Sequence, residues 1–161
     1  MIKRRELFGS LANIHKKQEA GSIRPPYFFD ESLFEQECIK CGGKCSSACE
    51  EKIITIQADK TPTLDFSKGG CTYCDACAKA CDFEVLQISN KSNIHAKFAI
   101  NMLKCISWDK VMCFSCKEIC LEEAIPFLGL FRPEIDSEKC TACGFCIKVC
   151  PTQAIEVSKW Q

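Results

Sequence analysis

The chain has 161 residues, with 21 basic side chains, 21 acidic side chains and 16 cysteines. Its balanced charge provides no net basic character for general nucleic-acid binding, and no apolar run is long enough to cross a bilayer. In a secreted protein this cysteine content would indicate a disulfide scaffold, but no cleavable export signal is visible in the sequence. The composition therefore excludes those classes and favours a protein built around metal.

The chain begins with a basic, cysteine-free segment, residues 1–30, which we predict to be a separate N-terminal arm. Residues 1–24 carry six Lys or Arg against two Glu. Residues 5–20 are predicted to form a helix, with the apolar side chains Leu7, Phe8, Leu11 and Ile14 on one side. The prolines after Arg24 predict an extended stretch. Arg4, Arg5 and Arg24 are candidate docking residues for a partner protein; the alternative is that the arm folds back on its own acidic body.

The Arg4-Arg5 pair at the start of the arm is similar to the beginning of a twin-arginine export signal. Such a signal needs an apolar stretch after the arginines, whereas GSLANIHKKQEAG is polar. We therefore expect a cytoplasmic protein without a transmembrane segment.

Four consecutive cysteine quartets follow the arm at spacings typical of iron–sulfur proteins. Two residues between cysteines form a tight loop that presents three thiolates to one [4Fe-4S] cluster, and in two-cluster ferredoxins the fourth cysteine reaches the other cluster. The pattern predicts four [4Fe-4S] clusters per chain, or three if the third quartet stays empty. The predicted ligands are Cys38, Cys41, Cys45 and Cys49; Cys71, Cys74, Cys77 and Cys81; Cys105, Cys113, Cys116 and Cys120; and Cys140, Cys143, Cys146 and Cys150.

Two of the quartets depart from the compact spacing. The first has one extra residue, next to Gly42 and Gly43, and the third has seven residues between Cys105 and Cys113. The longer insertion predicts a looser and more exposed third site, with Cys105 as its weakest ligand. Structural zinc is the other metal that binds four thiolates, but it usually uses two separated cysteine pairs instead of one continuous run.

The quartets form an internal repeat, with first cysteines at 38, 71, 105 and 140. Apolar residues before the three later quartets predict short strands that enter the cysteine loops. The segments 50–56, 83–88, 121–127 and 152–157 predict a helical turn and then a strand. This is an α+β fold made of tandem bicluster ferredoxin-like modules, residues 31–95 and 96–161, behind the cysteine-free arm.

The pairing of the quartets is not settled by their spacing. Sequential pairing, one with two and three with four, needs only local connections. A nested arrangement, one with four and two with three, is the alternative.

Nothing in the sequence indicates an enzyme, and no catalytic residue is assigned. It contains no dinucleotide-binding glycine motif, no phosphate-binding loop and only two histidines. Bound clusters would add negative charge, which further argues against nucleic acid and favours protein partners with basic surfaces. Electron transfer is the activity that this composition predicts.

The basic start with Arg4-Arg5, the IRPP segment at residues 23–26 followed by DESLF, and the seven-residue gap in the third quartet together resemble the NapF family. These are ferredoxin-type proteins of periplasmic nitrate reductase systems, and the resemblance covers nearly the whole chain. It implies a cytoplasmic accessory protein that matures the catalytic subunit NapA, or supplies it with electrons from an unknown donor, before NapA is exported. The alternative is a ferredoxin-type electron-transfer subunit of a membrane-associated oxidoreductase.

Overall fold

The structure is a computed structural model that describes residues 21–160. The predicted helix at 5–20 and the arginines Arg4 and Arg5 lie outside the described residues. Within residues 21–160, no helix is long and apolar enough to span a membrane.

Regular structure in residues 21–160 consists of short helices and short strands placed between cysteine loops. The helices are α1 (Ser32–Glu37), α2 (Lys44–Ala48), α3 (Ala76–Lys79), α4 (Ser115–Glu118) and α5 (Phe145–Val149), with single 3₁₀ turns at Cys38–Lys40 and Ile88–Asn90. The strands are β1 (Ile54–Ile56), β2 (Pro62–Leu64), β3 (Ala96–Ile100), β4 (Phe127–Leu128), β5 (Phe131–Pro133) and β6 (Ile155–Lys159).

The first half of the described chain is organised around the antiparallel β1–β2 hairpin, in which Ile54 lies opposite Leu64. The chain from Ile23 runs beside this hairpin, and the Leu64 N–H donates to the Ile23 carbonyl at 2.8 Å. Further along this segment, Tyr27 accepts a backbone hydrogen bond from Gln87 at 2.8 Å. The segment therefore joins the hairpin to the stretch that follows the second quartet.

The strand predicted within residues 83–88 is wrong, because that stretch is irregular and ends in the 3₁₀ turn. Its neighbour contains Pro25 and Pro26, which have no backbone N–H to contribute to a strand ladder. Val85 and Leu86 are nevertheless buried. Side-chain burial holds this stretch in place where a regular ladder cannot form.

The second half has the strand pair that the first half lacks. Strand β3 pairs antiparallel with β6, from Ala96 opposite Lys159 to Ile100 opposite Ile155. Strands β4 and β5 form the hairpin between the third and fourth quartets. The strands predicted before the third quartet and after the fourth quartet are therefore present and pair with each other.

The boundary of the N-terminal arm at residue 30 and the docking role of Arg24 both need correction. Arg24 is only 8% exposed. Its guanidinium donates to Thr61 Oγ1 at 2.7 Å and to the Pro62 carbonyl at 2.8 Å, and it lies 4.9 Å from the centroid of the Phe34 ring. Arg24 is thus a core residue that anchors residues 21–30 to the first half of the fold.

Arg24 also takes part in an ion-pair group that connects the two halves. Its Nε lies 3.5 Å from a Glu31 carboxylate oxygen, close enough for an ion pair although no hydrogen bond forms. Lys159, at the end of β6, donates to both Glu31 oxygens at 2.6 and 2.7 Å. Partial burial opposes ionisation of Glu31, but its contacts with Lys159 and Arg24 hold the pKa of this carboxyl below its usual value.

We predict that Arg24→Ala lowers the free energy of unfolding by about 3 kcal/mol, because it removes a buried cation from its hydrogen-bonded and charged partners. This corresponds to a decrease of about 9 °C in apparent Tm for a chain of this size. Circular dichroism during anaerobic heating measures the change. Arg132→Ala is the matched control, since Arg132 is exposed and its guanidinium lies 5.8 Å from the centroid of the Trp108 ring; its loss is expected to stay below about 1 kcal/mol. Equal losses in both variants would contradict the anchoring role.

Candidate metal centres

Each quartet places its third cysteine on one of four short helices. Cys45 lies on α2, Cys77 on α3, Cys116 on α4 and Cys146 on α5. Helix α2 packs against α3, and α4 packs against α5. The helices thus bring quartet one beside quartet two, and quartet three beside quartet four.

The compact loops bend through residues with a left-handed backbone. In the second quartet Tyr73 and Asp75 have φ of 54° and 62°, and in the fourth Ala142 and Gly144 have φ of 58° and 89°. Alternating left- and right-handed residues turn successive N–H groups towards the same side, an arrangement suited to a negatively charged group. The third quartet departs from this pattern: Phe114, which precedes α4, has φ of −120°.

The same turn follows the fourth cysteine in all four quartets. Each time, the residue three positions later has a positive φ and donates its N–H to the cysteine carbonyl. These residues are Lys52, Glu84, Glu123 and Gln153, with N···O distances of 3.0, 3.4, 3.2 and 3.2 Å. None of them is glycine, so sequence inspection gave no signal for this turn.

In three of the quartets a backbone N–H group just after this turn donates to the sulfur atom of the fourth cysteine. The Ala154 N–H donates to Cys150 Sγ at 3.2 Å, and the Ala124 N–H donates to Cys120 Sγ at 3.4 Å. A corresponding contact joins the Leu86 N–H to Cys81 Sγ at 3.5 Å. Such donors stabilise a thiolate ligand, and they could not be inferred from side-chain identity.

Three cavities are each lined by four cysteines, three from one quartet and the fourth from its neighbour. The space free of protein atoms in them is about 410, 360 and 350 Å³, so the three sites are nearly equivalent in size. We name each site by the quartet that contributes three cysteines. Site two is lined by Cys71, Cys74, Cys77 and Cys49; site four by Cys140, Cys143, Cys146 and Cys120; site three by Cys105, Cys113, Cys116 and Cys150.

Site one is formed by Cys38, Cys41, Cys45 and Cys81. Burial, together with the nearby Cys41 and Cys81 thiols, raises the pKa of the Cys38 thiol to about 11. The pKa of Cys45 rises to about 11 for the same reasons, burial first and then Cys38 and Cys41. In site one, as in the other three sites, the fourth cysteine therefore comes from the neighbouring quartet.

Burial has the largest effect on the thiols that lie deepest. Burial, with a smaller contribution from neighbouring cysteines, raises the pKa of Cys77 and of Cys146 to about 12. Such thiols are protonated at neutral pH, so a metal must displace their protons to bind. The buried cysteines are therefore suited to ligate a cationic group that replaces those protons.

The donor set and the cavities fit a [4Fe-4S] cluster better than a single ion. Within residues 21–160, no three His, Cys, Asp or Glu side chains are placed to hold one metal ion. A single zinc ion would draw its sulfur ligands to about 2.3 Å from one point. The cysteines instead surround a cavity, as a cubane requires, because each of its four irons takes one thiolate.

Site three is the one of these four sites without a buried cysteine, although the most exposed cysteine, Cys74, belongs to site two. The third cysteines of the other quartets are buried, whereas Cys116 is only partly buried. Apolar side chains next to the third quartet are also exposed, with Leu103 at 95%, Met112 at 69% and Leu121 at 92%. The insertion in the third quartet thus accompanies a site whose cysteines and neighbouring apolar side chains are poorly covered.

All sixteen predicted cysteines fall into these four groups, and the cavities combine quartet one with two and quartet three with four. The arrangement is the sequential one and not the nested one. Ligation of clusters by these cysteines stays a prediction, which the geometry supports.

Comparisons with known proteins agree with this arrangement. Residues 37–85 match the model of a 4Fe-4S dicluster domain, and residues 133–156 match the model of a 4Fe-4S binding domain. The first match spans quartets one and two together, as sequential pairing requires. The second match includes the fourth quartet and leaves the third outside it.

Whole-chain similarity is found to curated ferredoxin-type proteins. The chain is 32% identical to the ferredoxin-type protein NapF of Escherichia coli K12 over 143 residues, 86% of each protein. It is 30% identical to NapF of Haemophilus influenzae over 148 residues, 89% of this chain and 83% of that protein. The methylamine utilization ferredoxin-type protein MauM of Methylorubrum extorquens is 28% identical over 155 residues, 83% of this chain and 70% of that protein.

We predict that anaerobically purified protein contains about sixteen iron and sixteen acid-labile sulfide per chain. Removing the metal is expected to abolish most secondary structure, because buried thiols and short strands cannot form a stable core alone. Iron and sulfide assays with circular dichroism measure both quantities. A well-folded metal-free protein would contradict the coupling of folding to metal binding.

We also predict that site three loses its iron first. Treatment with a chelator should release about a quarter of the iron in a fast phase, because none of the cysteines of site three is buried and its loop carries the seven-residue insertion. Cys105→Ser should remove one cluster together with that fast phase. The matched variant Cys140→Ser should also remove one cluster but keep the fast phase. Unchanged iron content in Cys105→Ser would show that Cys105 is not a ligand.

Proposed function

Because the chain belongs to the NapF family of ferredoxin-type proteins, we propose that it is a [4Fe-4S] accessory protein of a periplasmic nitrate reductase system. In this proposal it acts in the cytoplasm on the catalytic subunit NapA before NapA is exported. It would either mature NapA, by supporting cofactor or cluster assembly, or supply NapA with electrons. Whole-chain similarity to NapF is the observation that carries the proposal.

The geometry of the sites supports an electron-transfer role for this protein. We propose that all sixteen cysteines are cluster ligands; when bound, the clusters would supply one-electron redox chemistry. The chain's own residues would tune that chemistry by excluding water and by directing N–H groups at the thiolates, as Ala124 and Ala154 do. Among residues 21–160 we assign no side chain the role of a catalytic acid, base or nucleophile.

Docking to NapA is proposed for the residues that precede Gly21, since Arg24 is committed to the core. Arg4 and Arg5 can donate charge-assisted hydrogen bonds to acidic groups on a partner. Replacing both with Ala should weaken NapA capture about tenfold, which corresponds to about 1.4 kcal/mol. Iron content should not change, because neither residue belongs to a quartet.

The experiment uses tagged protein purified anaerobically from a strain that expresses a periplasmic nitrate reductase. Captured NapA is analysed for its export signal, and nitrate reductase activity is assayed in the periplasm. The double variant Lys16→Ala, Lys17→Ala is the matched control, because it removes the same charge from the same segment. Weakened capture and activity in the Arg4 and Arg5 variant alone would support specific docking. Capture equal to wild type would rule out docking by these arginines.

A second candidate is electron transfer to a membrane-associated oxidoreductase without any role in maturation. Similarity to MauM supports a ferredoxin-type role outside nitrate reduction, because that protein's name associates it with methylamine utilization. The same capture experiment separates the two candidates. A NapA precursor that retains its export signal supports maturation, whereas capture of a quinol-oxidising membrane complex supports the second candidate.

A further inference from the structure

The loops of site two and site four contact each other directly at the junction of the two halves. The Cys71 N–H donates to the Cys143 carbonyl at 2.6 Å, so the backbones of two cysteine loops are hydrogen-bonded to each other. Next to this bond, Tyr73 Oη donates to the Thr141 carbonyl. Both contacts join the second quartet to the fourth, which lies about seventy positions later in the chain.

Two glycines allow this close approach, and they do so reciprocally. A Cβ on Gly70 would lie 2.5 Å from the Phe145 ring and 2.6 Å from the Phe145 backbone nitrogen. A Cβ on Gly144 would lie 2.1 Å from the Phe66 ring. A larger residue at Gly70 would have to displace the backbone of the fourth loop, and one at Gly144 would have to displace the Phe66 ring. The space between the loops therefore admits no side chain at either glycine.

Site one adjoins site two in the first half of the fold. Helix α2, which carries Cys45, packs against α3, which carries Cys77.

Site three adjoins site four in the same way in the second half. Helix α4, which carries Cys116, packs against α5, which carries Cys146. Because the loops of sites two and four are the ones joined by the Cys71–Cys143 hydrogen bond, sites one and three are the outer members of the series.

We propose that the four sites form one linear electron path in the order one, two, four, three, with transfer between the halves at the Cys71–Cys143 contact. The order differs from the order of the quartets in the sequence. It makes sites one and three the two ends at which external partners exchange electrons. The inference rests on the proposed loading of the sites with clusters, and not on the identity of the partner.

The step at this contact is the transfer of one electron. When bound by the cysteines of sites two and four, the clusters would exchange one electron, the one being oxidised as the other is reduced, with no bond made or broken and no proton moved. A one-electron reductant supplies the electron at one end of the path, and a one-electron acceptor removes it at the other. Dithionite serves as the reductant in the experiment below.

The test compares two variants that each retain two sites. The first empties sites one and three by Cys41→Ser with Cys45→Ser and Cys113→Ser with Cys116→Ser, so that sites two and four remain. The second empties sites one and four, by the same site-one changes together with Cys143→Ser and Cys146→Ser, so that sites two and three remain. Iron analysis should give about eight iron per chain in both.

Electron paramagnetic resonance of the dithionite-reduced variants then reports the distance between the two clusters. Dipolar coupling falls with the cube of the separation, so the variant that keeps sites two and four should show a broadened or split signal. The variant that keeps sites two and three should show the sum of two isolated signals. Equal coupling in both, or stronger coupling between sites two and three, would overturn the order.

Loss of iron from these variants would overturn the loading of the retained sites, and this outcome is distinguishable from a wrong order because the iron assay reports it separately.

A pair of single variants tests the order without emptying any site. Gly70→Ala must push the second and fourth loops apart, whereas Gly42→Ala has no atom within 4 Å of the added methyl group. With four clusters retained, the coupled signal should weaken in Gly70→Ala and remain unchanged in Gly42→Ala. An unchanged signal in both would contradict transfer at this contact.

Discussion

Burial of cysteine side chains is the constraint on which the rest of the structure depends. The thiols of Cys77 and Cys146 are buried deeply enough for their pKa to rise to about 12. A folded chain with such thiols carries protonated sulfur atoms around cavities, and apolar packing alone must then stabilise it. The hairpins offer little help, since β4 has two residues and β5 has three. Metal binding therefore has to complete the core as well as provide the redox function.

The two halves reach similar cysteine geometry by different means. In the second half, the five-residue β3–β6 ladder closes the structure around its two sites. In the first half, Pro25 and Pro26 occupy the corresponding outer segment and prevent a ladder. Burial of Arg24 and Tyr27 compensates, with hydrogen bonds from Arg24 to the β1–β2 hairpin and from Gln87 to the Tyr27 carbonyl. The IRPP segment is thus part of the first half of the fold.

The cysteine groups could be predicted from sequence because ligand spacing is set by the size of a cluster and not by the surrounding protein. The role of Arg24 could not, because its hydrogen-bonding partner Thr61 lies 37 positions away and nothing near Arg24 marks it as buried. The absence of a strand at 83–88 could not be predicted either, because it depends on Pro25 and Pro26 in a remote segment. The turn after each fourth cysteine could not be predicted for a local reason. A positive φ is usually signalled by glycine, whereas the residues that adopt it here are Lys52, Glu84, Glu123 and Gln153.

The order of the sites has meaning only if the two halves are held in a fixed relation, because domains joined by a linker move unless their interface restrains them. Three separate contacts provide that restraint. Lys159 pairs with Glu31, Phe66 packs edge-on against Phe98 at 5.5 Å between centroids, and the Cys71 and Cys143 loops are hydrogen-bonded. The connection between the halves is itself attached, since the Ile94 N–H donates to Tyr73 Oη at 3.1 Å. The same tyrosine donates to the fourth loop, so one side chain fixes both the connection and the junction of the sites.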